Sequence, residues 1–155
     1  MFTRPAALTL LFFILSALAP TAAAESWQHE NGTLTLEDTP KRVVALNWAA
    51  TEALLLLGVT PVGVADLEGY GHWVQEPALP ESGVANVGTR VAPSLEAIAE
   101  LEPDLIVTSA EMAPAAGLLN RIAPTYVISV YREGKDAFDQ ARKMLLTLGD
   151  ILDRQ

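Results

Sequence analysis

The chain contains no cysteine and two histidines, and only 6% of its residues are aromatic. Without cysteine it cannot be a disulfide scaffold, and an exported form must depend on an apolar core. The same absence removes the thiol to which a lipid anchor would be attached. Neither histidine, His29 or His72, stands in H-x-x-x-H or H-E-x-x-H spacing, so a zinc-hydrolase pattern is missing. There is no G-x-S-x-G elbow and no cysteine nucleophile, which leaves the usual acyl-transfer enzymes without their central residue. G-x-G-x-x-G is absent too. The run Gly83-Val-Ala-Asn-Val-Gly88-Thr-Arg90 has the glycine spacing of a phosphate loop but follows its second glycine with Thr and Arg instead of Lys and Ser or Thr. Basic residues are scarce: 10 against 19 acidic ones, for a formal charge of −9. That balance argues against nucleic acid or anionic lipid surfaces as partners, because both require basic patches.

Long apolar runs are also lacking, except at the start. Arg4 precedes an apolar stretch centred on Leu10-Leu-Phe-Phe-Ile-Leu15, Pro20 ends it, and Ala22-Ala-Ala24 supplies small residues for cleavage. This is the pattern of a secretory signal peptide over residues 1–24, cut after about Ala24. The stretch is short of the ~20 residues that span a bilayer. A periplasmic destination follows, and about 130 residues remain, enough for one α/β domain with a core of its own.

In that remainder, apolar strands alternate with helical segments. Strands are predicted at 43–47, 62–66, 104–109 and 126–130, and helices at 51–57, 94–101, 114–122 and 136–153. The strands are continuous Val- and Ile-rich runs, as expected of parallel strands buried on both faces. A hairpin over residues 27–37, turning at Asn31-Gly32, precedes them. The expected fold class is α/β, a Rossmann-like parallel sheet flanked by helices. Between the second strand and the helix at Ser94 lies a stretch of roughly 25 residues that reads as an irregular loop, a length usually functional in compact domains. It carries Tyr70, His72, Trp73 and Arg90 and leaves the carboxyl end of a strand, where open α/β sheets bind ligands. Trp48 and the pair Glu111-Met112 follow two other strands in the same way. Trp48, Trp73, Arg90 and Met112 are therefore expected to converge on one sheet edge as a ligand site. By residue type Asp66, Glu68, His72 and Glu76 could hold a metal, but their spacing forms no metal motif, and no metal site is assigned. The last helix repeats Phe138, Ala141, Met144 or Leu145, and Leu148 at helical spacing up to the final residues.

Several segments together resemble a known family. They are Arg42-Val-Val-Ala-Leu-Asn-Trp48, Glu52-Ala-Leu-Leu-Leu-Leu-Gly58, Pro61-Val-Gly-Val-Ala-Asp66, Trp73-Val-Gln-Glu-Pro77, Asn86-Val-Gly-Thr-Arg90, Pro93-Ser-Leu-Glu96 and Arg121-Ile-Ala-Pro124. From about Pro40 onward the chain is similar to the periplasmic binding proteins of ABC importers for iron–siderophores, cobalamin and haem. The Trp73 and Arg90 segments look most like the hydroxamate branch. The resemblance implies a two-lobe protein with a helical connector and ligand held between the lobes. Residues 25–135 would be the N-terminal lobe and 136–155 the start of the connecting helix, the second lobe lying outside this chain. It further implies a monomer without a cofactor or catalytic activity, which takes an iron(III)-siderophore and delivers it to an inner-membrane ABC permease. Arg90 would clamp the oxygens that coordinate the iron, with Trp48 and Trp73 as walls. Met112 stands where a close relative has a tyrosine, and so lacks the hydroxyl donor. Glu96 matches an acidic residue that docks on permease arginines. Cobalamin or haem binding and a secreted Rossmann-like enzyme remain the alternatives.

Overall fold

The computed structural model describes residues 24–154. The leader expected over residues 1–24 lies outside them, Ala24 excepted. Two antiparallel strands, β1 (Glu25–His29) and β2 (Gly32–Leu36), form the expected hairpin. His29 pairs with Gly32, so the two-residue turn is Glu30-Asn31, one position earlier than the Asn-Gly signal suggests, and Gly32 takes φ 133° just after it.

The main sheet contains β3 (Val43–Ala45), β4 (Gly63–Val64), β5 (Ala85–Asn86), β6 (Leu105–Thr108) and β7 (Thr125–Val127). All four pairings are parallel and the order is β5-β4-β3-β6-β7. The α/β parallel sheet read from the apolar strand runs is thus the fold. Alternate residues serve opposite faces. Val43, Ala45, Leu105 and Val107 join Leu54, Tyr126, Met144 and Leu148 in one buried cluster. Val44, Leu46 and Ile106 join Ala65, Val87, Ile98 and Leu119 in the other. Each large aliphatic side chain removed from water in this way contributes about 1.5–3 kcal/mol.

Helix α1 (Trp48–Leu56) is apolar on nearly every side and packs between β3 and α5 (Ala137–Ile151). It starts three residues before the predicted position, because Asn47 leaves the strand to cap it: the Asn47 Oδ1 accepts the Ala50 N–H at 2.8 Å. The segment expected to be an irregular loop holds a helix, α2 (Leu67–Trp73). Gly69 and Gly71 lower its propensity and hide it from periodicity; burial of Tyr70, whose hydroxyl donates to the Pro77 carbonyl at 2.8 Å, holds it in place. α3 (Leu95–Glu100) is capped by Ser94. The predicted helix 114–122 is a 3-10 turn (Ala110–Ala115) running into the short α4 (Ala116–Leu119). In α5 the apolar stripe is buried only from Met144 onward, while Phe138 and Ala141 are exposed. Among the described residues no helix is long and apolar enough to cross a membrane.

Candidate ligand site

The sheet order reverses between β3 and β6: from β3 the chain moves outward to β4 and β5, then crosses back to β6 and β7. At such a switch point the loops leaving two neighbouring strands diverge and open a crevice beyond the carboxyl ends. A cavity of about 390 Å³ occupies that crevice. Its lining comes from the end of β3 and the start of α1 (Leu46, Asn47, Trp48, Glu52), from the long connection (Val74, Arg90, Val91), and from the loops after β6 and β7 (Ser109, Glu111, Ser129, Tyr131). Larger apolar hollows, of about 680 and 510 Å³, run along α5 and have fewer polar groups.

On one side of the crevice three residues from three segments lock together. The Arg90 guanidinium lies 3.8 Å from the centre of the Trp48 ring. Its Nε donates to Asp66 Oδ2 at 3.2 Å, and the Trp48 indole N–H donates to the Asp66 carbonyl at 3.2 Å. Asp66, two residues beyond β4, takes φ 57°, a conformation that Asp tolerates better than most residues. Gly69 is required beneath this group: a Cβ there would lie 2.6 Å from both Asp66 Oδ1 and Trp48 Cζ2. The stack is worth ~0.5–1 kcal/mol at an exposed site, so its main effect is to fix direction. With Nε bound to Asp66 and Cζ held over the indole, the remaining N–H donors of the guanidinium present a fork suited to oxygen anions.

On the other side, Tyr131 is 85% exposed. Ser109 Oγ is hydrogen-bonded to Glu111 Oε2. Ser129 is buried, and its hydroxyl accepts the Ala110 N–H at 2.9 Å.

Of the four ligand residues expected from the sequence, the structure brings Trp48 and Arg90 together and into the lining. Trp73 lies outside the lining; it is 74% exposed at the end of α2, edge-on to His72 at 4.8 Å. Met112 is also outside it, buried in the 3-10 turn with its side chain in the protein. Glu96 is exposed in the first turn of α3 and is not part of the crevice lining. Asp66, Glu68, His72 and Glu76 do not gather, and among the described residues no group of three or more His, Asp or Glu could hold a metal ion. Sequence reasoning misses Tyr131, Ser109 and Ser129. Tyr131 has a sequence signal, as an aromatic directly following the apolar run of the last strand.

The family described as periplasmic binding protein matches residues 43–155. Among curated relatives, the iron(3+)-hydroxamate-binding protein FhuD of Escherichia coli is 44% identical over 116 residues, which are 75% of this chain and 38% of that protein. The Fe(3+) dicitrate-binding periplasmic protein FecB of Escherichia coli is 39% identical over 126 residues, 79% of this chain and 41% of that one. This chain therefore spans about two fifths of the length of these relatives. Among solved structures, the siderophore-binding protein FhuD of Vibrio cholerae, bound to Fe3+–Desferal, superposes with a TM-score of 0.70 at 38% identity, covering 73% of this chain and 42% of that one.

Proposed function

This chain belongs to the periplasmic binding protein family, and we propose that it captures an iron(III)-siderophore, of hydroxamate type, in the periplasm and delivers it to an ABC permease. The observation that carries the proposal is the Arg90 guanidinium lying on the Trp48 ring with Asp66 holding its Nε, at the mouth of the switch-point crevice. A ferric hydroxamate presents a compact ring of negatively charged oxygens around the metal and apolar linkers outside it. A fixed guanidinium answers the oxygens by charge-assisted hydrogen bonds, and indole and phenol faces answer the linkers. The protein need supply no ligand to the iron itself. The names of the two curated relatives, which specify iron(3+) hydroxamate and Fe(3+) dicitrate, support an oxygen-rich ferric chelate over cobalamin or haem.

On this reading the protein is a carrier and not an enzyme, exported after removal of residues 1–24. Residues 25–135 form one lobe, and the helix beginning near residue 136 leads toward a second. The exposed Phe138 and Ala141 at the start of α5 fit a helix whose first turns have packing partners elsewhere. Glu96, exposed and outside the crevice lining, is the residue that docks on permease arginines.

The test is titration of the protein, expressed from its complete coding sequence, with Fe3+–Desferal while its tryptophan emission is followed. Trp48 lines the crevice, so emission should fall saturably. Unchanged emission together with no heat of binding, for ferric hydroxamate and ferric citrate alike, would overturn the proposal.

A further inference from the structure

The N-terminal hairpin reaches the crevice through one side chain. Glu30 sits in the turn between β1 and β2, and its N–H donates to the Val127 carbonyl at the end of β7 at 3.0 Å. Its carboxylate then accepts twice from Ser129, 99 residues later in the chain: the N–H at 2.8 Å on Oε1 and the hydroxyl at 3.0 Å on Oε2. The Ser129 hydroxyl in turn accepts the Ala110 N–H at 2.9 Å. Arg132 Nη1 lies 3.6 Å from Glu30 Oε1. The bonds form one directed chain, from the loop after β6 through Ser129 to Glu30. A serine hydroxyl that both accepts and donates in such a chain has a single usable rotation.

The Glu30 side chain is only 13% exposed. Withdrawing a carboxylate from water is costly unless its oxygens are bonded, and here both oxygens are bonded to Ser129. The side-chain bonds of Glu30 end at Ser129 and Arg132, the residues on either side of Val130 and Tyr131, and through Ser129 they reach the turn that follows Ser109. Those loops are the wall of the crevice that faces the Trp48–Arg90 stack.

We propose that Glu30 is a positioning residue for the ligand site: it ties the loops after β6 and β7 together and so places Tyr131 opposite Arg90. The proposal rests on the crevice being the ferric-chelate site. Glu30 does not touch the ligand; it acts through Tyr131.

The experiment measures Fe3+–Desferal affinity for the whole protein and for Glu30→Ala, Glu30→Gln, Tyr131→Ala and Glu30→Ala combined with Tyr131→Ala, with hydrogen exchange of the Ser129 and Ala110 amides. Glu30→Ala leaves the buried Ser129 groups without acceptors, so affinity should fall about tenfold and both amides should exchange faster. Glu30→Gln keeps one carbonyl oxygen for the Ser129 N–H but loses the acceptor of its hydroxyl, so affinity should fall only about twofold to threefold, with faster exchange at Ala110; where the alanine variant does not fold, no change in either quantity in Glu30→Gln would overturn the proposal. In the Tyr131→Ala background the Glu30→Ala change should have little further effect. An equal loss in both backgrounds, or an affinity indifferent to Glu30, would overturn the proposal. If the unaltered protein does not bind Fe3+–Desferal, the proposed function fails, and the exchange still decides the role of Glu30 in the wall: unchanged protection of Ser129 and Ala110 would overturn it.

Discussion

In the interior of the sheet, Val44, Ala45, Leu105 and Val107 are wholly excluded from solvent, and helices cover both faces. Beyond the carboxyl ends of the neighbouring strands β4, β5 and β7 stand a carboxylate one-third exposed, a half-exposed guanidinium and a tyrosine almost fully in solvent. The interior is held by area removed from water and depends little on any one direction. The edge contributes little area and is held by direction: a ring plane, a fork of donors, a bonded carboxylate. Stability and recognition should therefore separate by residue, which the following substitutions test.

The largest effect belongs to the interior. Leu54 is fully buried in the α1 layer, so Leu54→Ala should cost about 2–5 kcal/mol of stability by urea unfolding. Ligand affinity of the molecules that remain folded should be unaltered. At the edge the signs exchange. Arg90→Ala should weaken ferric hydroxamate binding by about 1.5–3 kcal/mol, the worth of hydrogen bonds to charged groups. Its unfolding midpoint should barely move, since the side chain is 45% exposed.

Gly69→Ala joins the two regimes. The new methyl would collide with Asp66 and Trp48, and overpacking of this kind costs about 1–3 kcal/mol. Because the atoms it displaces are those of the stack, the loss should show in affinity as well as in stability. Affinity unchanged in this variant would mean that the stack is not the recognition element.

Tyr70 offers a pH-resolved version of the comparison. Burial, and then the nearby carboxylates of Glu52 and Glu76, push its phenol up from its ordinary value near 10 to about 12. The folded state thus holds the proton more tightly than the unfolded chain. The resulting stability is present below about pH 10 and is lost as pH rises toward 12. Tyr70→Phe should flatten that alkaline loss and cost ~1 kcal/mol at neutral pH for the bond to the Pro77 carbonyl, as measured by unfolding at several pH values. The smallest effect is expected for Asp66→Asn. Asn tolerates the left-handed backbone, and an exposed pair contributes ~0–1 kcal/mol, so stability should shift within that range.

The interior is largely legible in the amino-acid sequence, and the edge only in outline. Val43, Leu105 and Tyr126 lie in apolar runs whose length and branching mark buried parallel strands, and Ser94 marks the start of α3 by its chemistry. Helix α2 escapes detection because its two glycines erase the helical signal and Tyr70 restores the helix only through tertiary burial. The last residue of a strand and the cap of the next helix look alike in sequence, which is why the strand pattern runs on through Asn47. Position after a strand also says that a residue is at the edge without saying which way it faces. Trp48 and Met112 both follow strands; one enters the crevice lining, and the other turns into the protein within its 3-10 helix. The bond from Glu30 to Ser129 leaves no sequence trace, since 99 residues separate the partners and each is ordinary alone.

In the proposed function, the Arg90 guanidinium held over the Trp48 indole at the switch point takes the oxygens of a ferric hydroxamate. Calorimetric titration of Fe3+–Desferal into the whole protein and into Arg90→Ala, in the same buffer and with matched folded fractions, tests it most directly. The unaltered protein should bind saturably, and the variant should bind with an affinity lower by about tenfold or more. Equal affinities in the two proteins would contradict it.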